Sequence, residues 1–85
     1  MNAWTYQFTD EAKRRIRKLE KPVQAKIVVA LDRLAGTGHG DVKKLAGTVN
    51  DWRLRVGDYR VIFRRGNDRL VILVLELGHR RDVYR

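Results

Sequence analysis

The chain has 85 residues, 44% apolar and 34% charged, with 19 Lys+Arg against 10 Asp+Glu for a formal charge of +9. That length allows one domain, residues 1–85, built on a single modest core, and the apolar fraction argues against a disordered chain. The absence of cysteine excludes disulfides, thiolate nucleophiles and sulfur-ligated zinc, and no apolar run is long enough to span a bilayer, so a protein of the cytoplasm is expected, without membrane contact.

Trp4, Tyr6 and Phe8 alternate with polar Thr5 and Gln7, as in a half-buried strand. Thr9 or Asp10 can then cap a helix with Asp10 and Glu11 in its first turn and Ala12, Ile16 and Leu19 on its buried stripe. Lys21-Pro22 breaks the chain, because proline is tolerated in the first turn of a new helix, and Val23, Ile27, Ala30, Leu31 and Leu34 repeat at helical spacing. Gly36, Gly38 and Gly40 end that helix. They lack the strand-then-helix setting of a dinucleotide loop, so they read as a connection. A loop-rich stretch follows, carrying Lys43, Lys44 and Leu45.

The segment Trp52 to Phe63 alternates apolar and basic residues on both sides of Gly57-Asp58, which predicts a β-hairpin with a two-residue turn. In that register Val56 pairs with Tyr59, Leu54 with Val61, Trp52 with Phe63, and Arg55 with Arg60. Gly66-Asn67-Asp68 makes a further turn, and Leu70 to Leu77 reads as a strand apolar on both faces and central in the sheet. Without a bulge, its even positions share a face with Arg60 and Arg64 and carry Arg80 onto it. The fold class is α+β: a small antiparallel sheet with two helices on one face, in the order β-α-α-β-β-β, and a basic face left open.

Charge is concentrated on the sheet, with eight cations against five carboxylates before Lys43 and eleven against five from it onward. Like charges facing each other across strands destabilise a sheet, so the pairing of Arg55 with Arg60 points to a polyanion on that surface. Arginine forks bind phosphate oxygens in pairs and stabilise charge developing on phosphorus. Surface arginines are common, and Arg53, Arg64, Arg65 and Arg69 each read more simply as solvated charges. Arg80, Arg81, Arg85 and Tyr84 fit either a solubilising tail with an aromatic plug or part of the site. The cluster from Lys13 to Lys18 reads as a solvated helix face or a secondary RNA contact. The two histidines, His39 and His79, have no carboxylates spaced to join them, so neither a metal nor another cofactor is expected.

Lys43-Lys44-Leu45 with a following glycine, the Trp-Arg-Leu-Arg-Val strand, Gly57-Asp58-Tyr59-Arg60-Val61 and the closing Gly78-His79-Arg80-Arg81-Asp82-Val83-Tyr84 together resemble the RelE branch of the RelE/ParE toxin superfamily. The resemblance covers nearly the whole chain. It implies a RelE-like, microbial-ribonuclease-type fold and a toxin that cuts messenger RNA in the ribosomal A site. The resemblance further implies a cut without metal, by attack of the RNA 2′-hydroxyl, and a cognate antitoxin that holds the toxin inactive. Carried over by position, Arg60 and Arg80 grip the scissile phosphate, Tyr84 stacks on or orients a nucleotide, and Arg55 stabilises charge. Lys43, Lys44, Arg53 and Arg81 are expected to bind RNA. Arg53 and Arg55 stand where the enterobacterial prototype has lysines. Arginine does not trade protons near neutrality, so acid-base work passes to Tyr84, His79 or ribosomal RNA. Two alternatives remain at this point: a ParE-like toxin that poisons DNA gyrase with the same fold, and a non-catalytic basic module that binds nucleic acid.

Overall fold

The computed structural model describes residues 4–48, 50–66 and 71–79. In chain order these form β1 (Thr5–Phe8), α1 (Asp10–Arg17), α2 (Lys21–Thr37), β2 (Val42–Lys44), β3 (Asp51–Val56), β4 (Tyr59–Arg65) and β5 (Val71–His79). Thr9 ends the first strand and caps the first helix, its hydroxyl accepting the Ala12 N–H at 3.2 Å while donating to the Leu75 carbonyl at 2.9 Å. Pro22 lies in the first turn of α2, where its missing N–H matters least. That helix runs through Gly36 and stops at Gly38, whose φ of 76° is the left-handed conformation that favours glycine at a helix end.

The strands form one sheet in the order β1-β5-β4-β3-β2. All neighbours are antiparallel except β1 and β5, which run parallel with Thr5 beside Val71 and Phe8 beside Val74. The α+β architecture matches the sequence expectation, and β2 is an added three-residue strand inside the stretch read as loop. β5 lies between β1 and β4, which accounts for its apolar character on both sides. The turn expected at Gly66-Asn67-Asp68 falls, beyond Gly66, outside the described residues.

One face of the sheet carries the core. Leu54, Val61, Phe63, Val74 and Leu77 meet Ala12 from α1 and Ile27, Leu31 and Leu34 from α2, each at most 1% exposed. Val74 and Leu77 have opposite parity on β5, so a regular strand would aim one of them away from the helices. A bulge resolves this. Ile62 pairs with Glu76 but Phe63 pairs with Val74, leaving Leu75 as an extra residue on β5 that turns both side chains inward. Thr9 takes up the Leu75 carbonyl there. The no-bulge register therefore fails towards Val71, while beside the arginine hairpin the even positions of β5 still share a face with Arg60, which pairs with Gly78.

At the edge of the core the Tyr6 phenol donates to Asp32 Oδ1 on α2 at 2.7 Å. Burial first, then this bond and the carboxylate's charge, push the phenol up from its ordinary 10.0 to about 12. The neutral phenol is thus the form the fold favours, and its contribution is intact below pH 10 and lost as pH rises towards about 12. An ultraviolet tyrosinate titration should show a late-ionising phenol whose signal disappears in Tyr6→Phe. A titration in which every phenol ionises together near pH 10 would contradict this arrangement.

Candidate functional site

Gly57 has a φ of 60° and no non-glycine residue among those described has positive φ, the arrangement of a type II′ hairpin turn. That turn fixes the register expected from sequence, pair by pair: Val56 with Tyr59, Arg55 with Arg60, Leu54 with Val61, Trp52 with Phe63. Directly paired residues share a face, so Arg53, Arg55, Arg60 and Arg64 all lie on the side of the sheet away from the helices. Lys43 pairs with Arg53 and joins them, whereas Lys44 pairs with Trp52 and lies on the other side. Only the first of the two lysines extends the basic surface.

Two of these cations have carboxylate partners. Arg64 grips Asp51 through both oxygens, at 2.7 and 3.3 Å, which holds its guanidinium still more firmly protonated, and Arg53 lies 3.8 Å from Asp41. Arg55 and Arg60 have no ion pair among the described residues, and they are the pair that faces each other across β3 and β4. The face is also less open than alternation implies. Arg60 is 8% exposed and Ile62, two places along, is also 8% exposed. The Arg60 guanidinium turns back towards the hairpin, with Nη1 donating to the Gly57 and Tyr59 carbonyls at 3.4 and 3.3 Å. The Nε atoms of Arg60 and Arg53 are buried without an acceptor among the described residues. A buried donor left without a partner is unfavourable by about 1–3 kcal/mol, more when charged, so this geometry is primed for an anionic oxygen.

His79 pairs with Tyr59, and the two rings meet edge to face with centroids 5.6 Å apart. Both lie on the helix side, which separates His79 from the arginines it was considered to assist. Arg65 belongs to the core's rim, its guanidinium 4.6 Å from the centre of the Trp52 ring. Arg80, Arg81 and Tyr84 lie outside the described residues, as does Arg69. The sequence reading missed the counter-ions Asp41 and Asp51. Asp51 was within reach, because extending the hairpin register by one step sets it opposite Arg64. Among the described residues no group of three or more His, Cys, Asp or Glu could hold a metal, and no helix is long and apolar enough to cross a membrane.

Comparison with known proteins converges on one family. Residues 6–84 match the family described as the ParE toxin of the type II toxin-antitoxin system, parDE. The Mycobacterium tuberculosis protein Toxin RelG is 31% identical over 87 residues, spanning 96% of this chain and 97% of its own. The archaeal RelE in the RelE-RelB complex from Pyrococcus horikoshii OT3 superposes with a TM-score of 0.77 at 27% identity, covering 98% of this chain and all of that one. The RelBE2 toxin-antitoxin complex of M. tuberculosis gives a TM-score of 0.80 at 24% identity over 91% of this chain and 98% of the matched one, a likeness of fold. With this fold, these matches and a basic hairpin in the expected register, the chain belongs to the RelE/ParE family of type II toxin-antitoxin toxins and is a RelE-like member of it.

Proposed function

We propose that this toxin is a ribosome-dependent endoribonuclease that cleaves messenger RNA in the ribosomal A site without a metal ion. The observation carrying this reading is the Arg55–Arg60 confrontation, two guanidinium groups without counter-ions among the described residues, one of them buried with an Nε that finds no acceptor among them. A phosphodiester between them relieves the repulsion and supplies the missing acceptor. In the reaction the RNA 2′-oxygen forms a bond to phosphorus as the bond from phosphorus to the 5′-oxygen breaks. The 2′-proton passes to a base and a proton reaches the leaving 5′-oxygen, giving a 2′,3′-cyclic phosphate and a 5′-hydroxyl. Arg55 and Arg60 stabilise the charge that builds on the phosphoryl oxygens, worth ~10²–10³ in rate for one preorganised donor. Arg80, which lies outside the described residues, grips the same phosphate, a role that rests on the family resemblance. Tyr84 orients the nucleotide and is the side chain in this set able to move a proton, given that His79 faces the other way. Lys43, Arg53 and Arg81 hold flanking phosphates. Lys44, on the opposite side, contributes long-range charge to the approach of RNA.

A cognate antitoxin in the same cytoplasm, with an acidic or amphipathic segment, covers the arginine face and silences it. The RelE-RelB and RelBE2 complexes among the similar structures support such a pairing. A second reading has its own support, because the matching family model is that of ParE, and the ParE-like alternative poisons DNA gyrase. One experiment separates them. Purified toxin added to a translation reaction is expected to generate new messenger 5′ ends within codons held in the A site, while gyrase supercoiling proceeds unaltered. Intact messenger with supercoiling blocked would establish the gyrase reading, and intact messenger with supercoiling normal would leave a non-catalytic nucleic-acid binder.

A further inference from the structure

Two carboxylates reach the arginine face, and they are held differently. The Asp51 side chain is 15% exposed and grips Arg64 through both oxygens, at 2.7 and 3.3 Å. The Asp41 side chain is 60% exposed and meets Arg53 at 3.8 Å. Its backbone is fixed where its carboxylate is loose. The Asp41 carbonyl accepts the Arg55 N–H at 2.8 Å, which carries the pairing of Val42 with Leu54 one residue further and sets Asp41 beside Arg55. Asp41 shares the parity of Lys43, on the face that bears Arg53 and Arg55. Arg53 is mostly covered, and its Nε has no acceptor among the described residues, so this long contact leaves the guanidinium short of a full set of partners. We infer that Asp41 is a resident substitute for phosphate: its carboxylate occupies Arg53 while the toxin is empty, an RNA phosphodiester must displace it, and Asp41 thereby holds down affinity for unselected RNA.

The inference rests on the reading above in which Arg53 holds a flanking phosphate. A carboxylate and a phosphodiester each carry one negative charge and both accept from a guanidinium fork, so the step exchanges one anion for another. The Asp41 side chain swings to solvent about its Cα–Cβ bond, the backbone bond to Arg55 stays, and no proton moves. Asp41 then determines specificity. RNA that engages Arg53 alone gains little by the exchange, whereas a strand that also meets Arg55 and Arg60 gains contacts with two cations that have no ion pair among the described residues. A carboxylate present only to offset the repulsion between Lys43 and Arg53, which face each other, would matter for stability and leave RNA binding unaltered.

The test measures binding of a fluorescent single-stranded RNA, 2′-O-methylated so that it cannot be cut, to wild type, Asp41→Asn, Arg53→Gln, the double variant and Glu20→Gln. Glu20 is exposed at the start of α2 and its side chain caps no N–H, so its variant removes the same charge away from the arginine face. Asp41→Asn is expected to bind about three- to fivefold more tightly than wild type, the scale of an exposed ion pair, and Glu20→Gln to stay within about 1.5-fold. The gain should vanish when Arg53 is replaced. A second measurement leaves Arg53 in place: its Nε–H signal, followed by NMR during titration with inorganic phosphate, should reach its midpoint at about three- to fivefold lower phosphate in Asp41→Asn than in wild type. An equal gain from Glu20→Gln, or one that persists without Arg53, would reduce the effect to charge at large and overturn the inference. Unchanged binding with a lower urea midpoint would make Asp41 a structural partner of Arg53, and weaker binding would make it a direct RNA ligand; each overturns the inference, as does an unmoved phosphate midpoint. Wild-type toxin that leaves messenger intact on programmed ribosomes would sink the ribonuclease reading, while the binding series would still decide the role of Asp41.

Discussion

Replacing Arg60 with methionine is expected to lower ribosome-dependent cleavage by ~10²–10³ while leaving the protein as stable as before, or more stable by about 1 kcal/mol. Loss of activity alone would say little, because destabilised proteins also lose activity. The two effects together discriminate. Arg60 is buried and faces Arg55, and among the described residues it makes two long hydrogen bonds through Nη1 and leaves its Nε without an acceptor. An apolar side chain of similar length removes the like-charge contact and the buried donor, so a purely structural account gives no reason for arginine at this position. Arg60→Lys keeps the charge but loses the fork, and should recover only a small part of the rate. Cleavage is read by mapping messenger ends on stalled ribosomes, and stability by urea denaturation. If Arg60→Met unfolds at distinctly lower urea, the guanidinium is an anchor of the hairpin, and its assignment to the scissile phosphate fails.

The second large effect belongs to the core. Phe63→Ala should destabilise the fold by about 3–5 kcal/mol, a large share of the 5–15 kcal/mol typical of a small domain. Phe63 is fully buried, and it pairs with Trp52 on one side and Val74 on the other at the point where the bulge resets β5. Truncating its ring opens a void that three strands and both helices would have to close together. The variant should denature at much lower urea with little change in the slope, and growth arrest on expression should weaken although every arginine of the basic face is intact. A loss under about 1.5 kcal/mol would mean that neighbouring side chains collapse into the space, and that this region is less tightly packed than its zero exposure implies.

The features legible in the sequence were those encoded locally. Gly57-Asp58 fixes a tight turn, the turn fixes a register, and the register sets Arg55 against Arg60. Pro22, Thr9 and the helical spacing of Ile27, Leu31 and Leu34 did the same for the helices. What escaped depends on distant partners. The three residues of β2 have little strand character of their own and are held by β3, and β1 finds its parallel neighbour some 66 positions later. The bulge escaped because Leu70 to Leu77 is apolar throughout, so no alternation marks the change of parity at Leu75. Of the proposed site, the hairpin arginines came from patterning, whereas Arg80, Arg81 and Tyr84 came from family resemblance. The counter-ions Asp41 and Asp51 were visible as residues but not as partners, since an ion pair has no signature in spacing alone.

The strand order has a consequence for the cell that makes this toxin. β5 is the last of the described strands to be synthesised, yet it must seat itself between β1 and β4, both made earlier. Until then the hairpin has no neighbour on its inner edge, and neither Val74 nor Leu77 has reached the helices. Pairings across such sequence separation form late, after loop closure has been achieved. A nascent chain that has not yet exposed β5 is therefore unable to complete the toxin's own sheet, and the basic hairpin acquires its inner neighbour only when that strand arrives.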